Sequence, residues 1–156
     1  TCRLDGLLLP ARGEHVDAPT RVEHEAPSCT TRELYRAVVA GGGRAVFDGT
    51  VVVREGARGT DATQSNHNLL LADDADVSTK PRLEIYNDDV KCAHGTTVGQ
   101  LDAQQLAYLR MRGVPRDAAR ALLTHAFVAD LRDAAPLPSL REAVEARLAA
   151  LLGEEA

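Results

Sequence analysis

The chain has 156 residues, 44% hydrophobic and 26% charged, a composition typical of one folded globular domain and not of a disordered segment. A net charge of −5 without any block of Lys or Arg, together with only 3% aromatic residues, argues against a nucleic-acid partner and against an anionic membrane surface. Purely aliphatic runs such as Leu7–Leu9 are far shorter than the roughly 18 residues of a membrane-spanning helix, so no such helix is expected.

The N-terminus and the cysteines bear on the processing of the chain and on its cellular compartment. The first residue is Thr1 instead of Met and no signal-peptide pattern follows it, which predicts a processed chain or an excised fragment. The three cysteines, Cys2, Cys29 and Cys92, are odd in number and widely spaced, unlike a disulfide framework. The sequence therefore predicts reduced thiols and a cytoplasmic location.

Residues 1–100 show short apolar runs instead of helical periodicity. Turn formers separate the runs, among them Asp48-Gly49, Glu55-Gly56, Asp73-Asp74 and Asn87-Asp88-Asp89. Small strands at such tight spacing favour a stacked β-solenoid somewhat over a β-sandwich, which the pattern alone leaves open. The runs are Ala45–Phe47, Val51–Val53, Leu69–Leu71, Val77, Leu83–Ile85 and Val90–Cys92.

Residues 101–156 change to a helical period. A capping box, Asp102 with Gln105, predicts a first helix that stops near Gly113, and Pro115 marks the start of a second. Pro136 and Pro138 are expected to break that second helix. The chain is therefore predicted to be mainly β over residues 1–100, followed by three helices in residues 101–156.

The last predicted helix carries an apolar stripe. Ser139 to Glu142 form a second capping box and Gly153 is a stop signal, so the helix is expected between them. A stripe of this kind serves either the packing of its own domain or the docking of a partner protein, and the sequence permits both. The stripe consists of Leu140, Val144, Leu148 and Leu151 with Leu152.

The most reactive-looking residues are Cys92 and His94. Residues i and i+2 of a strand point to the same face, so this thiol and imidazole can address one soft metal ion or cluster together. A lone strand cysteine also serves as a small buried hydrophobe, which is the structural alternative. His24 with Cys29 is a weaker pair of the same kind. No P-loop, serine-hydrolase elbow or paired Cys-x-x-Cys zinc pattern accompanies them.

Several segments together resemble the SufB/SufD family of the SUF iron–sulfur cluster assembly system, and within it the SufD branch. The central run is residues 80–95, Lys-Pro-Arg-Leu-Glu-Ile-Tyr-Asn-Asp-Asp-Val-Lys-Cys-Ala-His-Gly, and it continues through residues 97–102 and 108–113. Residues 45–49 and 60–71 resemble the family too. A cysteine that marks the SufB branch is absent near Asn66, which favours SufD.

The resemblance implies a right-handed parallel β-helix over residues 1–100, followed by a small α-helical C-terminal domain over residues 101–156. It also implies two partners, a SufB-type subunit and a SufC-type ATPase that docks on the C-terminal helices. Family members are much longer than this chain, so early rungs of the solenoid are expected to be missing. Because a truncated solenoid exposes a strand edge, the isolated chain is expected to form a homodimer.

These observations predict a non-catalytic scaffold subunit for iron–sulfur cluster assembly. The resemblance implies that a transient cluster forms at the interface with SufB, with His94 and Cys92 contributed from this side. No stably bound cofactor is expected on this chain alone, because a cluster usually needs about four ligands. The rival hypotheses are a β-helix enzyme acting on a carbohydrate or acyl substrate, and a purely structural homodimer.

Overall fold

The computed structural model describes residues 1–154 and consists of strands followed by helices. In chain order the described residues form β1 (Cys2–Leu8), β2 (His15–His24), β3 (Thr30–Val39), β4 (Arg44–Val53), β5 (Asp61–Leu70), β6 (Asp76–Ile85), β7 (Lys91–Gln100), α1 (Ala103–Met111), α2 (Arg116–Ala134) and α3 (Pro138–Glu154). In this part of the chain, no helix is long and apolar enough to span a membrane.

Every strand pairing is parallel, and consecutive strands alternate between two sheets. One sheet has the order β1-β3-β5-β7 and the other has the order β2-β4-β6. The chain therefore advances by one rung for every two strands: Asp61 lies beside Lys91, 30 residues later. Parallel neighbours in a sheet need crossover connections, and here a strand of the opposite sheet supplies each crossover. This arrangement confirms the parallel β-solenoid and excludes the sandwich.

The strands are longer than the apolar runs suggested. Ala45–Phe47 and Val51–Val53 belong to one strand, β4, so the prediction of a turn at Asp48-Gly49 is wrong. Asp48 instead lies on the outer face, where its carboxylate accepts a hydrogen bond from Arg82. Gly49 faces the interior, where an added Cβ would lie 2.4 Å from Nε2 of Gln64. The glycine is there because the space is occupied, not because the chain turns.

Side chains alternate between the interior of the solenoid and its outer face, as the period of a strand requires. Between the two sheets, Ala37 and Val39 of β3 pack with Ala45 of β4. At the opposite end of the strands, Val51 and Val53 of β4 pack with Ala62 of β5. The interior is thus apolar at both ends of each strand, and polar side chains occupy the middle.

The helices cover the outer face of the four-stranded sheet. Val38 and Leu69, which point outward from β3 and β5, form one core with Val128, Leu148 and Leu151 of the helices. Arg36 reinforces this contact because its guanidinium pairs with Asp130 across 2.7 Å and lies over the ring of Phe127. Helices and solenoid therefore share a hydrophobic core.

The helix boundaries agree with the capping signals for α1 and α2 but not for α3. Asp102 accepts a hydrogen bond from the N–H of Gln104 at 2.8 Å, and Gly113 with φ of 85° follows the end of α1. Pro138 begins α3, so Ser139 lies inside it, since proline is well tolerated in a first helical turn. Gly153 does not end α3, which extends to Glu154; a glycine inside a helix costs only about 1 kcal/mol.

Candidate functional site

The end of the solenoid formed by β6 and β7 is uncovered. Both strands are the last members of their sheets, so within residues 1–154 one edge of each has no strand beside it. Almost all residues of β7 are exposed, and Ile85, Tyr86 and Val98 expose 42%, 56% and 51% of their surface. A rung with unpaired backbone groups and apolar side chains on one edge is suited to contact with another protein.

Cys92 lies at the start of β7 and is half buried. Its side chain packs against the cluster that includes Val53 and Ala62. Burial is the main reason why the pKa of the Cys92 thiol is raised; Asp61 raises it further, and a hydrogen bond with the Ala62 backbone lowers it. The thiol therefore stays protonated near neutral pH, and a metal ion binding there has to displace a proton.

His94 lies two residues further along β7, on the same face as Cys92, and is exposed. Gly95 lies on the opposite face of β7, where an added Cβ would meet no atom of the described chain within 4 Å. Cys92 and His94 thus share one face of the strand, as their spacing predicts.

Two ligands are not a complete metal site. Among the described residues, no group of three or more His, Cys, Asp and Glu side chains is arranged to hold a metal ion. Fe–S clusters are usually held by about four protein ligands. The edge can contribute a soft thiolate and a borderline imidazole to a shared site, and the remaining ligands have to come from elsewhere.

A polar group inside the solenoid escaped the sequence analysis. Gln64 donates from Nε2 to Oε2 of Glu33 at 2.7 Å, and both side chains are buried. Asn68 donates to Asn66 at 2.7 Å and to the carbonyl of Thr97 at 3.0 Å. Alternation of polar residues at positions 64, 66 and 68 was the available signal, because a period of two places them on one face of a strand.

The other histidines take part in local contacts. His24 is buried and its Nε2 lies 3.0 Å from the hydroxyl oxygen of Thr31. Burial, with a smaller contribution from the N-terminal charge, lowers the pKa of His24, so the ring is neutral. His24 lines one shallow cavity with Cys2 and Cys29. His67 lies 2.9 Å from the hydroxyl oxygen of Thr97.

The apolar stripe of α3 divides into buried and exposed parts. Leu148 and Leu151 are fully buried against the solenoid, whereas Leu140 exposes 48% of its surface and Val144 is half buried. Leu148 and Leu151 therefore serve the core of the chain itself, and only the first half of α3 is available to a partner. The sequence could not make this division, since all four residues share one helical face.

A second apolar surface lies between α1 and α2. Tyr108, Met111 and Leu122 expose 52%, 80% and 53% of their surfaces, more than Leu140 does. Tyr108 and Leu122 line an open cleft together with Leu109, Leu123 and Ala126. This exposed cleft was not singled out from the sequence, because the spacing of its residues is that of an ordinary buried helix face.

Comparison with known proteins gives one consistent family. The family model described as SUF system FeS cluster assembly, SufBD core domain, matches residues 1–127. The chain is 43% identical over 148 residues to the iron–sulfur cluster assembly protein SufD of Escherichia coli K12, covering 95% of this chain and 35% of that protein. It is 41% identical over 135 residues to a SufBD family protein of Synechocystis, covering 86% of this chain and 30% of that protein. The chain thus spans about a third of the length of these relatives.

Proposed function

The chain belongs to the SufBD family of the SUF iron–sulfur cluster assembly system, and from that premise we propose that it is part of a scaffold subunit for cluster assembly. The observation that carries the proposal is the uncovered β6–β7 edge, where Cys92 and His94 share one strand face. The subunit holds and orients the cluster, and iron and sulfide are its cargo. Its place of work is the cytoplasm, where three unpaired thiols stay reduced.

The cargo is a transient iron–sulfur cluster at the interface with a SufB-type subunit. Cys92 and His94 supply ligands from this side, and the partner supplies those that complete the set. Because Cys92 is protonated and half buried, its affinity for iron alone is low, which suits a cluster that has to be passed on. The chain alone holds no stable cluster.

The SufB-type subunit joins at the β6–β7 edge. The free N–H and C=O groups of β7 can pair with a strand of the partner, and Val98 and Ile85 supply apolar contact area. Self-association of the isolated chain can use this edge or the edge of β1 and β2, which also have a strand on one side only among residues 1–154.

The SufC-type ATPase docks on the helices. The exposed cleft between α1 and α2, with Tyr108 and Leu122, supports this site better than the second half of α3, whose leucines are buried. Leu140 and the half-buried Val144 extend the available surface at the start of α3. ATP hydrolysis by the docked subunit would then act on the distant β edge through the shared helix–solenoid core.

His94→Ala in the full-length protein tests the proposal. We expect that maturation of client iron–sulfur enzymes in cells dependent on the SUF system falls at least tenfold. The melting temperature and the recovery of the SufB-type and SufC-type subunits should stay unchanged, because a substitution at an exposed position usually alters stability by less than about 0.5 kcal/mol.

The matched control is His67→Ala, on the neighbouring strand β5, where the imidazole contacts Thr97 on the outer face of the sheet. This variant should support normal client maturation. Full client activity with His94→Ala, or an equal loss with His67→Ala, would contradict a role of His94 in cluster assembly.

A further inference from the structure

The interior of the solenoid contains a carboxylate–amide pair that the scaffold role does not use. Glu33 and Gln64 expose only 2% and 1% of their surfaces, and Nε2 of Gln64 lies 2.7 Å from Oε2 of Glu33. A carboxylate oxygen accepts the hydrogen bond that the NH₂ group of Gln64 donates, so in the structure that group faces Glu33. Glu33 therefore fixes which way the Gln64 amide is turned.

The other atom of that amide is left without a partner. Oε1 of Gln64 is buried and accepts no hydrogen bond within the described residues. The amide lies over Gly49, where a Cβ would come within 2.4 Å of Nε2, so the backbone of β4 makes room for it. A buried carbonyl oxygen without a hydrogen-bond donor is unfavourable, which calls for a donor nearby.

The strand register places His94 beside Gln64. Gln64 of β5 and His94 of β7 are Cα partners in a parallel pair, so their side chains stack about 4.8 Å apart on one face. Glu33 is the Cα partner of Gln64 on the other side, which makes one row from the buried carboxylate to the exposed imidazole. Because His94 is exposed at the uncovered edge, its side chain is free to change rotamer there.

We propose that Gln64 is a positioning residue for His94: Oε1 accepts a hydrogen bond from one ring N–H, and Glu33 holds the amide in the orientation that allows it. A neutral imidazole has one donor and one acceptor nitrogen, so fixing the N–H fixes the other nitrogen as a free lone pair at the open edge. Metal-binding histidines are commonly held in this way by an acceptor on the second nitrogen. The inference rests on the proposed function only in giving that lone pair a use.

The tautomer of His94 in the full-length protein tests the inference without any cluster present. Long-range ¹H–¹⁵N spectra of protein labelled with ¹⁵N-histidine report the tautomer ratio, and loss of a signal in His94→Gln assigns it. We expect one dominant tautomer in the wild type. Gln64→Met, which keeps the volume and removes the acceptor, should reduce the ratio about fivefold, the effect of one net hydrogen bond.

Two further variants separate positioning from general loosening of the last rung. In Glu33→Gln the side chain at position 33 can pair with Gln64 in either amide orientation, so the tautomer ratio of His94 should fall at least twofold. This variant keeps the test available if Gln64→Met proves unstable. Asn66→Leu removes a buried amide that is in register with Thr96 and not with His94, so it should leave the ratio unchanged. An unaltered ratio in Glu33→Gln, or an equal change in Asn66→Leu, overturns the inference.

Client maturation measured on His94→Ala in parallel keeps the two proposals apart. Loss of maturation with an unaltered tautomer in the Gln64 and Glu33 variants would retain the role of His94 and remove that of Gln64. Normal maturation with an altered tautomer ratio would retain the role of Gln64 and remove that of His94, because the hydrogen bond would exist without serving cluster assembly.

Discussion

At the scale of single residues, burial decides what the chemistry-bearing side chains can do. Cys92 and His94 are two positions apart on one strand face, yet the thiol is half buried against the interior and the imidazole is exposed. The Cys92 thiol is therefore protonated and reacts slowly, whereas the His94 imidazole is directly accessible to a ligand. The edge presents an imidazole first and a thiolate only when a metal or base removes the proton.

The raised pKa of Cys92 predicts its reactivity. Alkylation by iodoacetamide requires the thiolate, so at pH 7.5 Cys92 should react about tenfold more slowly than the exposed Cys2. Raising the pH should reduce the difference, because a thiol with a raised pKa ionises only at higher pH. Peptide mass spectrometry after timed quenching measures both rates in one sample.

The raised pKa of Cys92 also makes the stability of the fold depend on pH. Since burial raises the pKa of Cys92 above its unfolded value, the stabilisation is fully present below the unfolded pKa and is lost as the pH rises through the folded pKa. Cys92→Ala should remove this component of alkaline destabilisation. Equal rates of alkylation at Cys92 and Cys2 at neutral pH would contradict the burial seen here.

At the scale of elements, α3 differs in burial along its length. Its second half closes the core with Leu148, and its first half leaves Leu140 exposed. A uniform apolar stripe thus packs at one end and faces outward at the other, because α3 meets the outer face of the sheet only along part of its length.

This division predicts different costs for two similar substitutions. Leu148→Ala should lower the free energy of unfolding by about 2–5 kcal/mol, since it leaves a cavity under a fully buried side chain. Leu140→Ala should change it by less than about 1 kcal/mol, because that residue is half exposed. Urea unfolding followed by circular dichroism measures both, and equal costs would show that α3 packs along its whole length.

The cleft between α1 and α2 predicts where the SufC-type ATPase binds. Leu122→Glu places a charge on an exposed apolar side chain, so it should abolish binding of the ATPase and leave the melting temperature unchanged. The matched control is Ile85→Glu, a change of the same chemistry at a residue of β6 that exposes 42% of its surface outside this cleft. Retained binding with Leu122→Glu in a pull-down would move the docking site elsewhere.

At the scale of the whole molecule, the solenoid is a stack with two open ends within residues 1–154, one at β1 and β2 and the other at β6 and β7. Each rung buries its faces against neighbouring rungs, and β7 has a neighbour on one side only among residues 1–154. The end rung is therefore where association with another chain gains most, because it satisfies backbone groups and covers apolar area together.

A charge at this edge should prevent association. Val98→Lys puts an inward-facing cation on β7, a device by which natural edge strands avoid pairing. We expect that it weakens binding of the SufB-type subunit about tenfold or more, measured by analytical ultracentrifugation, whereas Met111→Lys on α1 does not. Unchanged association with Val98→Lys would place the interface away from the β6–β7 edge.

The sequence by itself determined the order of elements, and the solenoid followed from its family resemblance, since the apolar runs alone left a sandwich open. Apolar runs with turn formers between them predicted strands before residue 100, and capping signals at Asp102 and Pro115 predicted helices after it. These signals are local, so they act through backbone preferences that the sequence displays directly. The pairing of Cys92 and His94 on one face was predictable for the same reason, since a strand has a fixed period of two.

Only the tertiary structure decided which side chains are covered and which are in register. The pair Asp48-Gly49 predicts a turn from sequence, and only the structure shows that the Gln64 amide fills the space above the glycine. Leu140 and Leu148 are equivalent on a helical stripe until the sheet beneath buries one of them. Glu33, Gln64 and His94 are about 30 residues apart in sequence, and parallel stacking alone brings them into one row. Burial and register depend on contacts between distant segments, and no local pattern encodes them.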